Sequence, residues 1–291
     1  MTDLADLAAR AEALLSRLEQ LLPFTPSEPE WKSANAFRWR KRNNVGFLQP
    51  VAHPHRILLK DLQDIGEQKT LVERNTRQFV QGYTANNVLL TGAHGTGKSS
   101  LVKAVFNKFV SKGLRLIEVE KHDLVDLPDI VELIYHRPER FIIFCDDLSF
   151  EAEDPGYKAL KVVLDGSIST ASDNVLVYAT SNRRHLMPEY MEENLEARHV
   201  GAEIHPGEAV EEKISLSERF GLWVSFYPFS QDEYLKIVDY WVAHLKAGTT
   251  ETESMHRAAL QWALMRGSRS GRVAWQFARD WAGQKALVKR S

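Results

Sequence analysis

The residues with the clearest chemical potential lie in one glycine-rich stretch. From Gly92 to Ser99 the sequence reads Gly-Ala-His-Gly-Thr-Gly-Lys-Ser, which fits the pattern G-x-x-x-x-G-K-[ST]. Glycines at this spacing let backbone N–H groups close on phosphates, while the lysine reaches the outer phosphates and the hydroxyl reaches Mg²⁺. The stretch therefore predicts a nucleoside triphosphate site. The expected contacts come from Gly92, Ala93, His94, Gly95, Thr96, Gly97, Lys98, Ser99 and Ser100.

The segments on either side of this loop have the patterns that a phosphate site needs. Residues 88–90 are an apolar, β-prone run, and residues 101–110 repeat apolar side chains at i, i+3 and i+4 before Gly113. A strand, a glycine-rich loop and a helix are thus expected in order. The helix N-terminus would add its partial positive charge to the site.

Two other predicted strands end in polar residues. Residues 141–144 are apolar and lead to Asp146 and Asp147, and residues 175–180 lead to Asn182. We expect Asp146 to hold Mg²⁺ and Asp147 to orient or deprotonate the attacking water. Because neighbouring parallel strands deliver their carboxyl ends to one crevice, Asn182 is expected near the terminal phosphate.

The elements that must position these side chains follow an alternating order. Helix-patterned segments separate five strand-like runs, which predicts an α/β fold with a parallel sheet covered on both faces. After Pro228 the pattern is helical, over about 232–246, 251–265 and 271–283, and predicts a small lid. The expected strands are 88–91, 114–120, 141–146, 175–180 and 223–226.

The N-terminal part of the chain has a different character. Within residues 3–22, leucines and alanine recur with the a/d spacing of heptads, which predicts a helix that packs on its own domain or associates with a partner. Pro23, Pro26 and Pro29 end that helix.

Residues 31–42 interleave basic side chains with Trp and Phe. Such a segment could grip a phosphate backbone and stack on bases. The alternative, which the sequence favours because the basic run is short, is that the aromatic rings dock on the core and the charges are solvated.

Composition sets limits on the rest. The 291 residues suit one large or two modest domains, and a net charge of -2 gives no global attraction to nucleic acid. The single cysteine, Cys145, excludes an intramolecular disulfide and suits a reducing compartment. The sequence offers neither a signal-peptide pattern nor an apolar run near the ~20 residues of a membrane span. A soluble, cytoplasmic protein is therefore expected.

Together these segments resemble the AAA+ family of ATPases over about residues 61–283. Residues 92–99 match the Walker A motif of that family, Asp146 with Asp147 the Walker B position, and Asn182 the sensor-1 asparagine. The chain as a whole resembles a bacterial AAA+ family known only as a conserved ATPase domain of unknown function.

The same resemblance covers three further segments. Residues 217–221 look like the segment that carries the arginine finger, here Arg219, and residues 270–272 look like the one with the sensor-2 arginine, here Arg272. Ile65 and Gly66 open a segment similar to the one that contacts adenine.

The resemblance implies a fold and an activity. The fold is a three-layer αβα core with a five-stranded parallel sheet, a C-terminal helical lid and an N-terminal helical extension, divided at 1–60, 61–228 and 229–291. The activity is Mg²⁺-dependent hydrolysis of ATP, coupled to conformational change in an oligomer whose target is not indicated. A finger supplied in trans by Arg219 implies a ring or helical homo-oligomer.

Two positions leave alternatives open. Most family members have Glu where this chain has Asp147, whose side chain is one methylene shorter. Either hydrolysis is slow, or Glu151 or a shifted Asp147 activates the water. A slow nucleotide-gated switch that binds nucleic acid or a protein is the alternative function. Arg219 could instead pair with a nearby acid such as Glu211, Glu212 or Glu218. Arg183 and Arg184 would then be the reserve candidates for the finger.

Overall fold

The computed structural model describes residues 10, 12–13, 28–29, 31–150, 154–165, 173–182, 198–200, 203–205, 216–246 and 252–288. The strands are β1 Ala36–Arg42, β2 Val45–Pro50, β3 Val88–Gly92, β4 Leu114–Val119, β5 Arg140–Cys145, β6 Val175–Ser181, β7 Arg198–Val200, β8 Glu203–His205 and β9 Leu222–Phe226. The α-helices are α1 Gly66–Val80, α2 Lys98–Phe109, α3 Leu127–Ile134, α4 Pro155–Asp165, α5 Gln231–His244, α6 Thr252–Met265 and α7 Gly271–Val288.

One sheet of seven strands organises the described residues, in the order β2-β1-β4-β5-β6-β3-β9. Every neighbouring pair in it is parallel except β1 with β2, which form an antiparallel hairpin. β7 and β8 pair separately. The five predicted strands are β3, β4, β5, β6 and β9, and each ends within one residue of its predicted bounds.

The predicted number of strands is wrong, because the sheet has seven instead of five. The two additional strands, β1 and β2, come from residues 36–50, which fell within the expected N-terminal linker. Asn43 and Asn44 both have positive φ, 51° and 60°, as a tight hairpin turn requires. Trp39 lies across Gly46, where an added Cβ would come within 1.9 Å of the indole ring.

The basic segment at 31–42 is part of this packing. The side chains of Phe37 and Trp39 are only 1% and 5% exposed. Arg38 pairs with Glu118 at 2.8 Å, and Lys41 pairs with Asp126 at 2.7 Å. The aromatic rings therefore dock on the core as favoured, whereas these charges, expected to be solvated, bind carboxylates of the protein.

The two faces of the sheet carry separate apolar cores. Along β5, Ile142 and Phe144 face one core, while Phe141, Ile143 and Cys145 face the other, as the alternation of side chains along a strand requires. Helices α1, α2 and the lid share the first core, and α3 and α4 share the second. Burial raises the pKa of the Cys145 thiol to about 12, so this cysteine is an unreactive core residue.

The predicted lid consists of α5, α6 and α7, and α5 and α7 pack together closely. Helix α5 begins with a capping box, in which Ser230 and Glu233 each bind the other's backbone N–H. The helix predicted over 3–22 lies almost wholly outside the described residues, and the domain boundaries stay a prediction. In the part of the chain that the structure describes, none of the helices has the length and apolarity needed to cross a membrane.

Candidate nucleotide site

The glycine-rich loop lies between β3 and α2, as predicted. Gly92 and Gly95 have φ values of 130° and 73°, which favour glycine. A Cβ on Gly92 would lie 1.9 Å from the carbonyl oxygen of Phe226, and one on Gly95 would lie 2.8 Å from Ser270 Oγ. The loop is therefore held against β9 on one side and against the start of the lid helix α7 on the other.

Lys98 begins α2 and points its ammonium group into the loop. Its Nζ donates to the carbonyl oxygens of Gly92 and Ala93, both at 2.7 Å, and to Asn182 Oδ1 at 2.8 Å. Three protons meet three acceptors. Burial lowers the pKa of Lys98, and the charges of Asp146 and Asp147 oppose that shift.

Asp146 lies at the carboxyl end of β5, between two hydroxyl groups. Ser99 Oγ and Thr180 Oγ1 both donate to Asp146 Oδ1, each at 2.6 Å. A serine hydroxyl and a carboxylate thus lie side by side next to the phosphate loop. Oxygen ligands of this kind are those that Mg²⁺ binds in phosphate-transfer sites, so the residues present fit the metal.

Asp147 has an unusual backbone conformation. Its φ is 56°, in the left-handed region that Asp adopts more readily than most residues. Its N–H donates to Thr180 Oγ1 at 2.9 Å, and its carboxylate accepts a hydrogen bond from the Asn182 amide. Asn182 therefore bridges Lys98 and Asp147. The polar ends of β5 and β6 thus lie close together beside the phosphate loop, as expected from the sequence.

The lid reaches this group through Arg272. The backbone N–H of Arg272 donates to the carbonyl oxygen of Gly95 at 3.4 Å. Its side chain is exposed and lines the same cleft as the loop. Its charge adds to the lowering of the pKa of Lys98, after the larger effect of burial.

Arg219 does not join this group. Its Nε lies 2.5 Å from Asp165 Oδ1, at the end of α4, and its side chain is 23% exposed. Because Arg219 lies outside the cleft of its own chain, both hypotheses remain open. Arg219 could act as a finger in the cleft of a neighbouring subunit, or it could be a structural residue that pairs with an acid. Of the other residues considered in the sequence, Glu151, Arg183, Arg184, Glu211 and Glu212 lie outside the described residues.

The cleft has a volume of about 750 Å³. Three predicted site residues, Gly66, Gly92 and Ala93, do not line the cleft, although the carbonyl groups of Gly92 and Ala93 bind Lys98. The predicted site residues that line the cleft are Ile65, His94, Gly95, Thr96, Gly97, Lys98, Ser99, Ser100, Asp146, Asp147, Asn182 and Arg272.

Several lining residues were missed in the sequence. Thr180, which binds both Asp146 and Asp147, gave no signal beyond a polar strand end. The far wall combines residues 55–57 and 61–63 with the lid side chains Trp241, His244 and Trp275. The spacing of 237, 241 and 244 places these residues on one face of a helix, and it could have indicated that they line a common surface. No feature of the nearby sequence shows that this face lies opposite residues before α1.

Comparisons with known proteins bear on the fold. A family model described as "Protein of unknown function (DUF815)" matches residues 32–285. The Aeropyrum pernix ORC1 protein, solved in complex with DNA, superposes with a TM-score of 0.54 and 14% identity, covering 79% of this chain and 61% of that one. A mutant of Thermotoga maritima RuvB gives 0.51 and 13% identity, covering 80% and 72%.

At such identities the two structures bear on fold alone, and no curated protein matches the sequence. The predicted resemblance is confirmed at that level, because ORC1 and RuvB are AAA+ P-loop ATPases. The chain belongs to the DUF815 family, and its fold is that of the AAA+ P-loop ATPases.

Proposed function

We propose that this protein binds ATP with Mg²⁺ and hydrolyses it to ADP and phosphate, and that hydrolysis drives a conformational change in a homo-oligomer. The observation that carries the proposal is the convergence of Lys98, Ser99, Asp146, Asp147 and Asn182 at one end of the sheet, beneath an arginine from the lid. This group has the functional groups that phosphoryl transfer needs.

The phosphate end of the cleft divides the work between two sets of residues. Lys98 and the backbone N–H groups of the loop would bind the β- and γ-phosphates. Ser99 and Asp146 would hold Mg²⁺, which would neutralise charge on the phosphate oxygens when bound.

Water activation falls to the second acidic residue. Asp147 would accept the proton of the attacking water, or orient it, once its hydrogen bond from Asn182 is exchanged. Asn182 would then donate to the terminal phosphate or to the water. Arg272 would contact the same phosphate from the lid, which links the state of the nucleotide to the angle of the lid.

Arg219 would act in the cleft of a neighbouring subunit. For this it must exchange Asp165 for the transferring phosphoryl group of the neighbour, an interaction worth ~10³-fold or more in rate in related chemistry. Such a contact is heterologous, so the assembly would be a ring or a helix.

The test is the steady-state ATPase rate per subunit against protein concentration, for the parent and for Arg219→Ala. We expect the parent rate to rise with concentration and the variant rate to collapse, while ATP binding, measured by calorimetry, is retained in both. Asp165→Ala is the matched control, because it removes the ion pair between Asp165 and Arg219 and keeps the guanidinium. A near-zero ATPase rate in the parent that does not change with protein concentration, with intact ATP binding, would contradict the proposal that hydrolysis drives a conformational change in a homo-oligomer.

One observation favours a second candidate, a slow nucleotide-gated switch. Asp147 is short, and its carboxylate is already bound by Asn182. In this case the protein would hold ATP and bind a partner in one nucleotide state. A partner that bound the segment at 31–42 would have to compete with carboxylates of the protein for Arg38, Arg40 and Lys41. Tight ATP binding with turnover slower than the lifetime of a bound partner would favour this candidate.

A further inference from the structure

The end of the cleft that lies away from the phosphate loop has its own chemistry. One wall is apolar and comes from the segment before α1, with Ile57, Leu62 and Ile65. The other wall is aromatic and comes from the lid, with Trp241 on α5 and Trp275 on α7. The proposed function leaves this end unassigned on the lid side.

The two tryptophans form one packed unit. Their ring centroids are 4.6 Å apart at an interplanar angle of 61°, and Trp241 also meets the His244 ring edge-on at 5.5 Å. Both indoles are half-buried, so each keeps surface that a ligand can cover. Rings fixed by neighbours lose little conformational freedom when a flat ligand stacks on them.

The lid is also attached to the opposite wall at this end. Tyr240 Oη donates to Asp61 Oδ1 at 2.6 Å, and Lys236 pairs with Asp64 at 3.7 Å. Burial raises the pKa of Tyr240 to about 12, so the phenol stays a donor at neutral pH. These contacts hold Trp241, one residue further along α5, at the cleft.

Few inward polar groups remain to read the edge of a base. Asp61 is buried, and its two carboxylate oxygens already accept from Tyr240 and from the backbone N–H of Leu58. Gln63 Nε2 donates to the carbonyl oxygen of Lys60 at 2.6 Å, and the lining side chains of His55, Arg56 and His244 are exposed. Stacking and apolar contact are therefore the main interactions that this end offers.

We propose that Trp241 and Trp275 form the platform on which the nucleobase stacks, and that the site selects an aromatic base with little discrimination between adenine and guanine. The proposal rests on the proposed function, since it assumes that the phosphates lie in the loop. Stacking on aromatic side chains tolerates different bases because every base has a π-face. The substrate class would then be purine nucleoside triphosphates.

The experiment measures binding of Mg²⁺ complexes of ATP, GTP and inorganic tripolyphosphate to the full chain by calorimetry. We expect Trp275→Ala and Trp241→Ala to weaken ATP and GTP binding about 5- to 100-fold, and to leave tripolyphosphate, which has no base, within twofold of the parent. Trp275→Phe should retain most of the affinity. ATP and GTP should bind the parent within tenfold of each other.

Trp281→Ala is the matched control, because Trp281 lies on the same helix as Trp275, loses the same side chain and does not line the cleft. An equal loss of ATP affinity in Trp281→Ala, or an equal loss of tripolyphosphate affinity in Trp275→Ala, would overturn the platform. A preference for ATP over GTP of more than tenfold in the parent would contradict the proposed tolerance between adenine and guanine. A parent that binds neither ATP nor tripolyphosphate would instead contradict the proposed function.

Discussion

At the scale of single residues, the strongest hydrogen-bonding groups of the site bind one another. Lys98 donates to Asn182, and Asn182 donates to Asp147, whose backbone is held by Thr180. The Lys98 ammonium thus has an acceptor for each of its three protons, so its burial leaves no charge unpaired. A phosphate in the loop would compete with Asn182 for Lys98, and that exchange would free Asp147 to meet water.

Replacing Asp147 tests which group activates the water. In Asp147→Asn, we expect the maximal ATPase rate to fall by ~10²-fold or more, because an amide cannot accept the proton, while ATP affinity changes little. Asp147→Glu, which restores the missing methylene, should keep or raise the rate. The measurement is single-turnover hydrolysis at saturating ATP. If Asp147→Asn hydrolysed ATP at the parental rate, a residue other than Asp147 would have to activate the attacking water.

At the scale of elements, the β1–β2 hairpin joins the N-terminal part of the chain to the sheet. One register of the two strands accommodates the tight turn, the buried aromatic rings and the ion pairs. In this register the indole ring of Trp39 lies across Gly46, and its Nε1 donates to Asp126 at 2.8 Å. The hairpin is thus specified by cross-strand packing rather than by the strand pattern alone.

Two glycine substitutions separate packing from backbone entropy. Gly46→Ala should lower the free energy of unfolding by about 1–3 kcal/mol, since the new methyl group meets the rigid indole ring of Trp39. Gly283→Ala, in α7 with nothing within 4 Å of the added Cβ, should raise it by about 0.5–1 kcal/mol. Urea denaturation measures both. Equal effects of the two substitutions would show that Trp39 adapts without cost.

The same elements explain how much the sequence could predict. The central strands were predictable because buried parallel strands are continuous apolar runs, as 141–145 is, and the phosphate loop because its motif is local. β1 was missed because Phe37, Arg38 and Trp39 alternate like residues of a basic linker. The carboxylate of Glu118 in β4, which pairs with Arg38, is distant in the sequence and could not be placed beside it. The aromatic wall was missed because Asp61 and Tyr240, which join its two sides, are 179 positions apart.

At the scale of the whole molecule, the cleft lies between the sheet and the lid, and Arg219 lies outside it. A subunit therefore offers two different surfaces, one with the nucleotide site and one with the arginine, which matches a head-to-tail contact between copies. If that contact completes the site, two variants that are each inactive alone can form active sites when they are mixed, because each can supply the part that the other lacks.

Mixing two inactive variants tests this arrangement. In the proposed arrangement, Asp147→Asn would retain the arginine finger but could not activate water, whereas Arg219→Ala would retain Asp147 but would lack the finger. In a random equimolar assembly, about one quarter of the contacts join an intact site to an intact finger, so we expect the mixture to recover about a quarter of the parental rate per subunit. Steady-state ATPase assays on mixtures from 0 to 100% of each variant should give a curve with its maximum near equal amounts. A straight line between the two variants, with co-assembly shown by crosslinking, would mean that Arg219 completes no neighbouring site and that its ion pair with Asp165 is its structural role.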